Sequence, residues 1–121
     1  EAYRMYRLAA MQQNAVAHYN LGVMYSSGMG VSQDYREAVK RFRLASEQGN
    51  PMAQSNLGVM YATGKGVKQN NVEALKWFIL SESKGWEDKL KNRELTEKKM
   101  NPEQIDEARK LASEWVQDNK K

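Results

Sequence analysis

The 121 residues suffice for one compact domain or a short run of repeats, and 40% apolar content supports a modest core but not a second one. The absence of cysteine rules out disulfides and thiolate metal sites, and no apolar stretch approaches the roughly 20 residues of a membrane-spanning helix, so no membrane insertion is expected. A formal charge of +4 raises the question of nucleic acid, but the excess is spread along the chain, +3 from Glu1 to Ser83 and +1 from Lys84 onward.

Abundant Ala, Leu, Met, Lys, Glu and Gln, few Val-Ile-Thr runs and two prolines favour helix throughout, and the fold class read from them is all-α. In chain order, residues 1–13 read as the second helix of a repeat whose first helix lies upstream, so the sequence begins inside a repeat. Helices follow at about Ala15 to Ser27 and Pro51 to Thr63, with Asn14 and Asn50 as N-caps and Pro51 at the first helical position. Leu21, Met24 and Tyr25 form a helical apolar stripe that Leu57, Met60 and Tyr61 repeat. Gly28 and Gly64 suit the left-handed position after a helix, and Gly30 and Gly66 the reversal into the next one. Second helices are expected at about Tyr35 to Gln48 and Val72 to Lys84, opened by the capping pairs Asp34/Glu37 and Asn70/Glu73. Gly22 and Gly58, each costing roughly 1 kcal/mol inside a helix, imply close packing, with Ala38 and Ala74 as the small facing residues.

These elements are two copies of one unit. Ala17 falls on Ala53, Asn20 to Tyr25 on Asn56 to Tyr61, Gly28 and Gly30 on Gly64 and Gly66, and Phe42 on Phe78, a register of 36 residues. Half of the positions from Ala17 to Asn50 recur identically. Each unit is a helix hairpin that must stack to cover its apolar side. The unit boundaries are 1–13, 14–49, 50–85 and a C-terminal segment 86–121 in which the pattern fails, Arg93 and Glu94 standing in the register of Leu57 and Gly58. There a charged helix from about Glu87 to Lys99 is expected, anchored by Leu90 and Leu95. A capping helix follows from Asn101-Pro102-Glu103-Gln104, with Ile105, Ala108, Leu111, Ala112, Trp115 and Val116 as its packing stripe.

The unit resembles the Sel-1-like repeat, a relative of the tetratricopeptide repeats. Its pattern is matched by Ala17, Leu21-Gly22, Tyr25, Gly28-Met29-Gly30-Val31, Asp34, Ala38, Phe42, Ala45 and Gly49. The second copy departs only at Asn70 and Ser81. The resemblance implies a right-handed α/α superhelix whose first helices line a concave face, and a non-enzymatic scaffold that binds a protein or peptide there. The last helix resembles the closing segment of bacterial members. The concave set is His18, Tyr19, Val23, Ser26, Ser55, Val59 and Ala62. Self-association through the N-terminal end is a further expectation; partner and compartment stay open.

Chemical motifs are few. His18 is the single histidine and reads as groove or core packing more readily than as a metal ligand. Ser81-Glu82-Ser83-Lys84 fits the Ser-x-x-Lys pattern of penicillin-recognising enzymes, and cysteine-rich relatives of the repeat are associated with β-lactams, which keeps a β-lactam-binding or hydrolysing enzyme as the alternative. No Ser-Asp-Asn or Lys-Thr-Gly accompanies it. Thr63-Gly64-Lys65-Gly66 lacks the Ser or Thr and the preceding strand of a phosphate loop. Arg36, Lys40, Arg41 and Arg43 read as a solvated helix side, so neither catalytic residue, metal, cofactor nor nucleic-acid partner is expected.

Overall fold

The computed structural model describes residue 2, residues 14–88 and residues 90–119. The expected helix over residues 1–13, and self-association through it, lie outside the described residues. Six helices make up the rest: α1 (Ala15–Ser27), α2 (Tyr35–Glu47), α3 (Pro51–Thr63), α4 (Asn71–Ser83), α5 (Asn92–Glu97) and α6 (Pro102–Asp118), with no strand among the described residues.

Helix ends follow from single residues. Asn14 and Asn50 adopt extended backbone, and their side-chain oxygens accept the N–H groups of Ala17 and Ala53 at 3.0 and 2.9 Å. Gly28 and Gly64 stop α1 and α3 in left-handed conformation, at φ 75° and 74°, each N–H returning to the carbonyl of Met24 or Met60 at 2.8 Å. The hairpins are closed from inside, because Asp34 N–H and Asn70 N–H donate to the carbonyls of Tyr25 and Tyr61 at 2.8 and 2.9 Å. Of the two expected capping pairs only the forward half forms, Asp34 and Asn70 accepting from Glu37 N–H and Glu73 N–H. The glutamates turn outward to Arg41 and Lys76 at 3.2 and 3.3 Å. A complete box stands only before α6 among the described residues, between Asn101 and Gln104.

α1 packs on α2, α2 on α3 and α3 on α4, while α4 also carries α5 and α6. Leu21 and Leu57 are wholly buried, with Phe42 and Phe78 beside them, so the two copies share one core arrangement. The approach that Gly22 and Gly58 permit differs from the one expected. A Cβ on either glycine would stand 2.5 Å from Cε1 of Phe42 or Phe78, so an aromatic ring from the second helix fills the gap instead of Ala38 or Ala74. Successive repeats meet as closely at Gly66, where a Cβ would run into the carbonyl oxygen of Tyr35 at the start of α2.

Beyond α4 the structure departs from expectation. The charged helix is shorter than the pattern suggested, and the anchors Leu90 and Leu95 are 75% and 51% exposed. Asp88 is the cause. Its carboxylate accepts the N–H groups of Asn92 and Arg93 at 3.0 and 2.9 Å and fixes the start of α5. The buried contact of α5 is Thr96, and Arg93 ties the helix to Glu82 of α4 while pairing with Glu97 within α5 itself. α6 closes the stack: Ala108 and Ala112 are buried, and Trp115 meets Trp77 edge to face at 6.0 Å. Val116, counted in the packing stripe, faces outward instead.

Candidate groove along the first helices

Of the seven side chains assigned to the concave face, Tyr19, Val23 and Ser26 on α1 and Ser55, Val59 and Ala62 on α3 are each half-buried, neither in the core nor fully solvated. Tyr19 leans on Phe42, ring centroids 6.1 Å apart, and Ser26 bonds the carbonyl of Val23 within its own helix at 3.0 Å. His18 does not belong with them. It is 4% exposed, with Nδ1 lacking any hydrogen-bond partner, and burial, reinforced by the Arg41 guanidinium, holds its imidazole below the ordinary histidine pKa. A buried neutral ring cannot edge a groove. Its counterpart 36 residues on, Gln54, shows what the position does: it too is buried, and its amide donates to the carbonyl of Ser46 at the end of α2 at 3.1 Å.

Ser55 and Val59 open into a pocket of about 530 Å³ whose other walls are Asn56, Trp86, Glu87, Asp88, Leu90 and Asn92. Trp86 and Leu90 are exposed at its mouth, which gives the groove an apolar wall from the segment after the second repeat. The sequence pattern gives no sign of this wall, because it puts Leu90 inside a packed helix, whereas α5 starts only at Asn92, with Asp88 accepting its first N–H groups, and Leu90 stands before it, exposed.

The motifs that suggested chemistry are used structurally. Ser81 is buried, and its hydroxyl donates to the carbonyl of Pro51 at 2.8 Å, joining α4 to the start of α3, while Lys84 lies exposed. A serine so engaged presents no nucleophile to a β-lactam. Thr63 Oγ1 bonds the carbonyl of Val59 at 2.8 Å, and Lys65 Nζ lies 5.4 Å from the centre of the Tyr35 ring, so the glycine-rich turn is a hairpin reversal that clips one repeat to the next. The basic cluster on α2 is divided: Arg41 pairs with Glu37, Arg43 donates to the Tyr61 hydroxyl at 2.5 Å, and only Arg36 and Lys40 face solvent freely. No described helix is long and apolar enough to cross a membrane, and no three metal-ligating side chains converge among the described residues.

A stack of hairpins with these packing residues has close counterparts among known proteins. The chain is 33% identical over 95% of its length to c5321, a protective antigen of uropathogenic Escherichia coli displaying an SLR fold, with a TM-score of 0.88. Over 67% of its length it is 37% identical to a Sel1 repeat protein of Oxalobacter formigenes, with a TM-score of 0.66. It spans 25% and 33% of those two chains. No curated protein sequence matches it. The Sel1 repeat profile matches residues 1–14, 15–50 and 51–86, and the chain therefore belongs to the Sel1 repeat family.

Proposed function

We propose that this chain is a non-enzymatic interaction scaffold that holds a partner polypeptide in the groove running along α1 and α3 to the wall formed by Trp86 and Leu90. One observation supports this above others: Ser55 and Val59, on the face assigned to partner binding, line a pocket of about 530 Å³ with exposed apolar residues at its mouth. Concave pockets with apolar walls and a few polar groups are where proteins take ligands, and stacked hairpins present such surfaces as extended grooves. Membership of a repeat family whose units stack in this way agrees with it.

The test places a photo-crosslinking residue at Val59 and, separately, at the exposed Lys40 on α2, in cells that make the protein. Crosslinks to a partner are expected from Val59 only. Val23→Glu combined with Val59→Glu should remove the capture while circular dichroism shows an intact helical fold. Undiminished capture by that folded double variant rejects the groove.

A further inference from the structure

Three helices end around one cavity to which α1 and α3 contribute nothing. α2, α4 and α6 stop at Gln48, Lys84 and Asn119, and all three terminal residues line a space of about 510 Å³. Leu80, Trp115 and Val116 give it an apolar wall. It shares no lining residue with the pocket beside Trp86 and Leu90, so it stands independently of the groove reading. Its polar side is not used by the packing. A helix C-terminus leaves its last carbonyls without intrahelical donors and carries about half a negative charge. At the end of α2 the carbonyls of Ala45 and Ser46 are bonded, whereas those of Glu47 and Gln48 accept nothing from the described residues. Glu47 adds an exposed carboxylate with no ion-pair partner among the described residues. The fold also shows what collects there. Cε and Nζ of Lys84 stand 3.8 Å from the place of a Cβ on Gly49, so this ammonium reaches from α4 across to the end of α2. No carboxylate pairs with it among the described residues, and what it gains there is the field of the helix end.

Within the cavity Glu47 and Lys84 cancel, which leaves the three helix ends, each worth about half a negative charge, as its net field. Carbonyl and carboxylate oxygens accept hydrogen bonds, so the complementary head group is a cation rich in N–H donors, and an ammonium has three. The half-buried Trp115 offers an indole that attracts the same charge, and its ring contact with Trp77 is made edge to face. Leu80 and Val116 suit an apolar stem. The volume falls among those of small-molecule sites, about 300–1,000 Å³. We infer that this cavity is a site for a small organic amine, a primary ammonium on an aromatic or aliphatic stem. The ammonium sits at the ends of α2 and α4 beside Glu47, where the amine of Lys84 marks its place, and the stem lies between Leu80, Trp115 and Val116. Lys84 is therefore a built-in competitor for the head-group position. A ligand so placed touches α2, α4 and α6 at once and ties the closing helix to both repeats.

The test titrates the 121-residue chain with 2-phenylethylamine and follows nitrogen–proton NMR correlations. Saturable shifts are expected at the amides of Gly49, Lys84 and Asn119 and at the Trp115 indole N–H, but not at Ser55 or Val59. A dissociation constant of about 1 mM suits a ligand this small. The neutral 2-phenylethanol and the anionic 3-phenylpropionate, which keep the stem and change the head group, should bind at least about fivefold more weakly. Glu47→Gln should weaken the amine about two- to fivefold, and Lys84→Met, which removes the competing cation, should strengthen it by a similar factor. Both side chains are exposed, and melting temperatures of the two variants without ligand check that they fold. Nα-acetyl-lysine methylamide, which carries the ammonium on a polypeptide-like backbone, should bind more weakly than the free amine. Equal binding of the alcohol and the amine, weaker amine binding by Lys84→Met, tighter binding of the lysine derivative, or no shift at the four reporters overturns the assignment.

Discussion

Replacing Gly58 with alanine sets helix propensity against packing, and the structure says which wins. In an open helix the change stabilises by about 1 kcal/mol. Here the new Cβ would lie 2.5, 2.7 and 3.0 Å from Cε1, Cδ1 and Cζ of Phe78, where carbon atoms prefer about 3.5–4.0 Å, so the ring must retreat by about 1 Å. Phe78 is buried in the core, and overpacking of this kind costs about 1–3 kcal/mol. The net result should be a loss of up to about 2 kcal/mol, the sign opposite to propensity. In a Phe78→Leu background the obstruction shrinks and the same substitution should stabilise, giving a coupling of about 1–3 kcal/mol between the two positions. Urea unfolding followed by far-ultraviolet circular dichroism on the four proteins of the cycle measures it. If Gly58→Ala raises the midpoint equally in both backgrounds, the ring does not dictate the glycine and the packing argument fails, for Gly22 and Phe42 as well.

Three further outcomes follow from the same geometry. Gly85, at φ 86° with nothing near its missing Cβ, should lose about 1–2 kcal/mol on change to alanine, from backbone strain alone. Gly66→Ala, at φ 73° and against the Tyr35 carbonyl, should lose at least about 1 kcal/mol more, and equal losses would mean the loop slides freely. His18 has a lowered pKa in the fold, through burial first and Arg41 second, so the unfolded chain binds more protons below the ordinary value of 6.5. Stability should thus be complete above that value and decline as pH falls below it. His18→Gln, the side chain found at the equivalent position 54, should flatten that decline, and urea midpoints with identical pH slopes in both proteins would contradict the assignment. Trp115→Ala removes the edge-to-face partner of Trp77 and should cost roughly 2 kcal/mol, with a red shift in the remaining tryptophan emission as the α4 face opens; an unshifted spectrum would show that α6 does not cover Trp77.

The two hairpins were legible because every rule that defines them is local or periodic. Asn14, Gly28, Asn50 and Gly64 act within four residues of themselves, and Leu21 and Leu57 report burial through spacing alone. What misled was any choice that depends on a partner helix. Small residues such as Ala38 and Ala74 are one way to face a helix glycine, an aromatic ring set against the Cβ-less backbone is another, and sequence spacing cannot distinguish them. For His18 the sequence leaves groove and core packing both open, and helical spacing cannot choose between them; the structure buries it with Gln54, the residue in its register. Leucines normally anchor a helix, as the spacing of Leu90 and Leu95 suggests, and the Asp88 bonds that start α5 at Asn92 leave no periodic trace.

The segment after Gly85 shows how a solenoid can end while its groove continues. In the third register the core leucine becomes Arg93, and packing against α4 passes from apolar burial to an ion pair with Glu82, beside a second pair with Glu97 within α5 itself. Partly exposed pairs of this kind are worth little, about 0–1 kcal/mol each, so α5 is held lightly compared with α3, whose Leu57 is wholly buried. Closure is transferred to α6, which lays Ala108, Ala112 and Trp115 on α4. With covering taken over by α6, α5 is relieved of filling the core, and its leucine can stand outward. Asn92 and Leu95 keep an amide and an aliphatic side chain in the register of Asn56 and Val59 while the core leucine and glycine beside them are lost, which is the arrangement expected if the first-helix face answers to a bound chain while the rest of the register answers only to the stack.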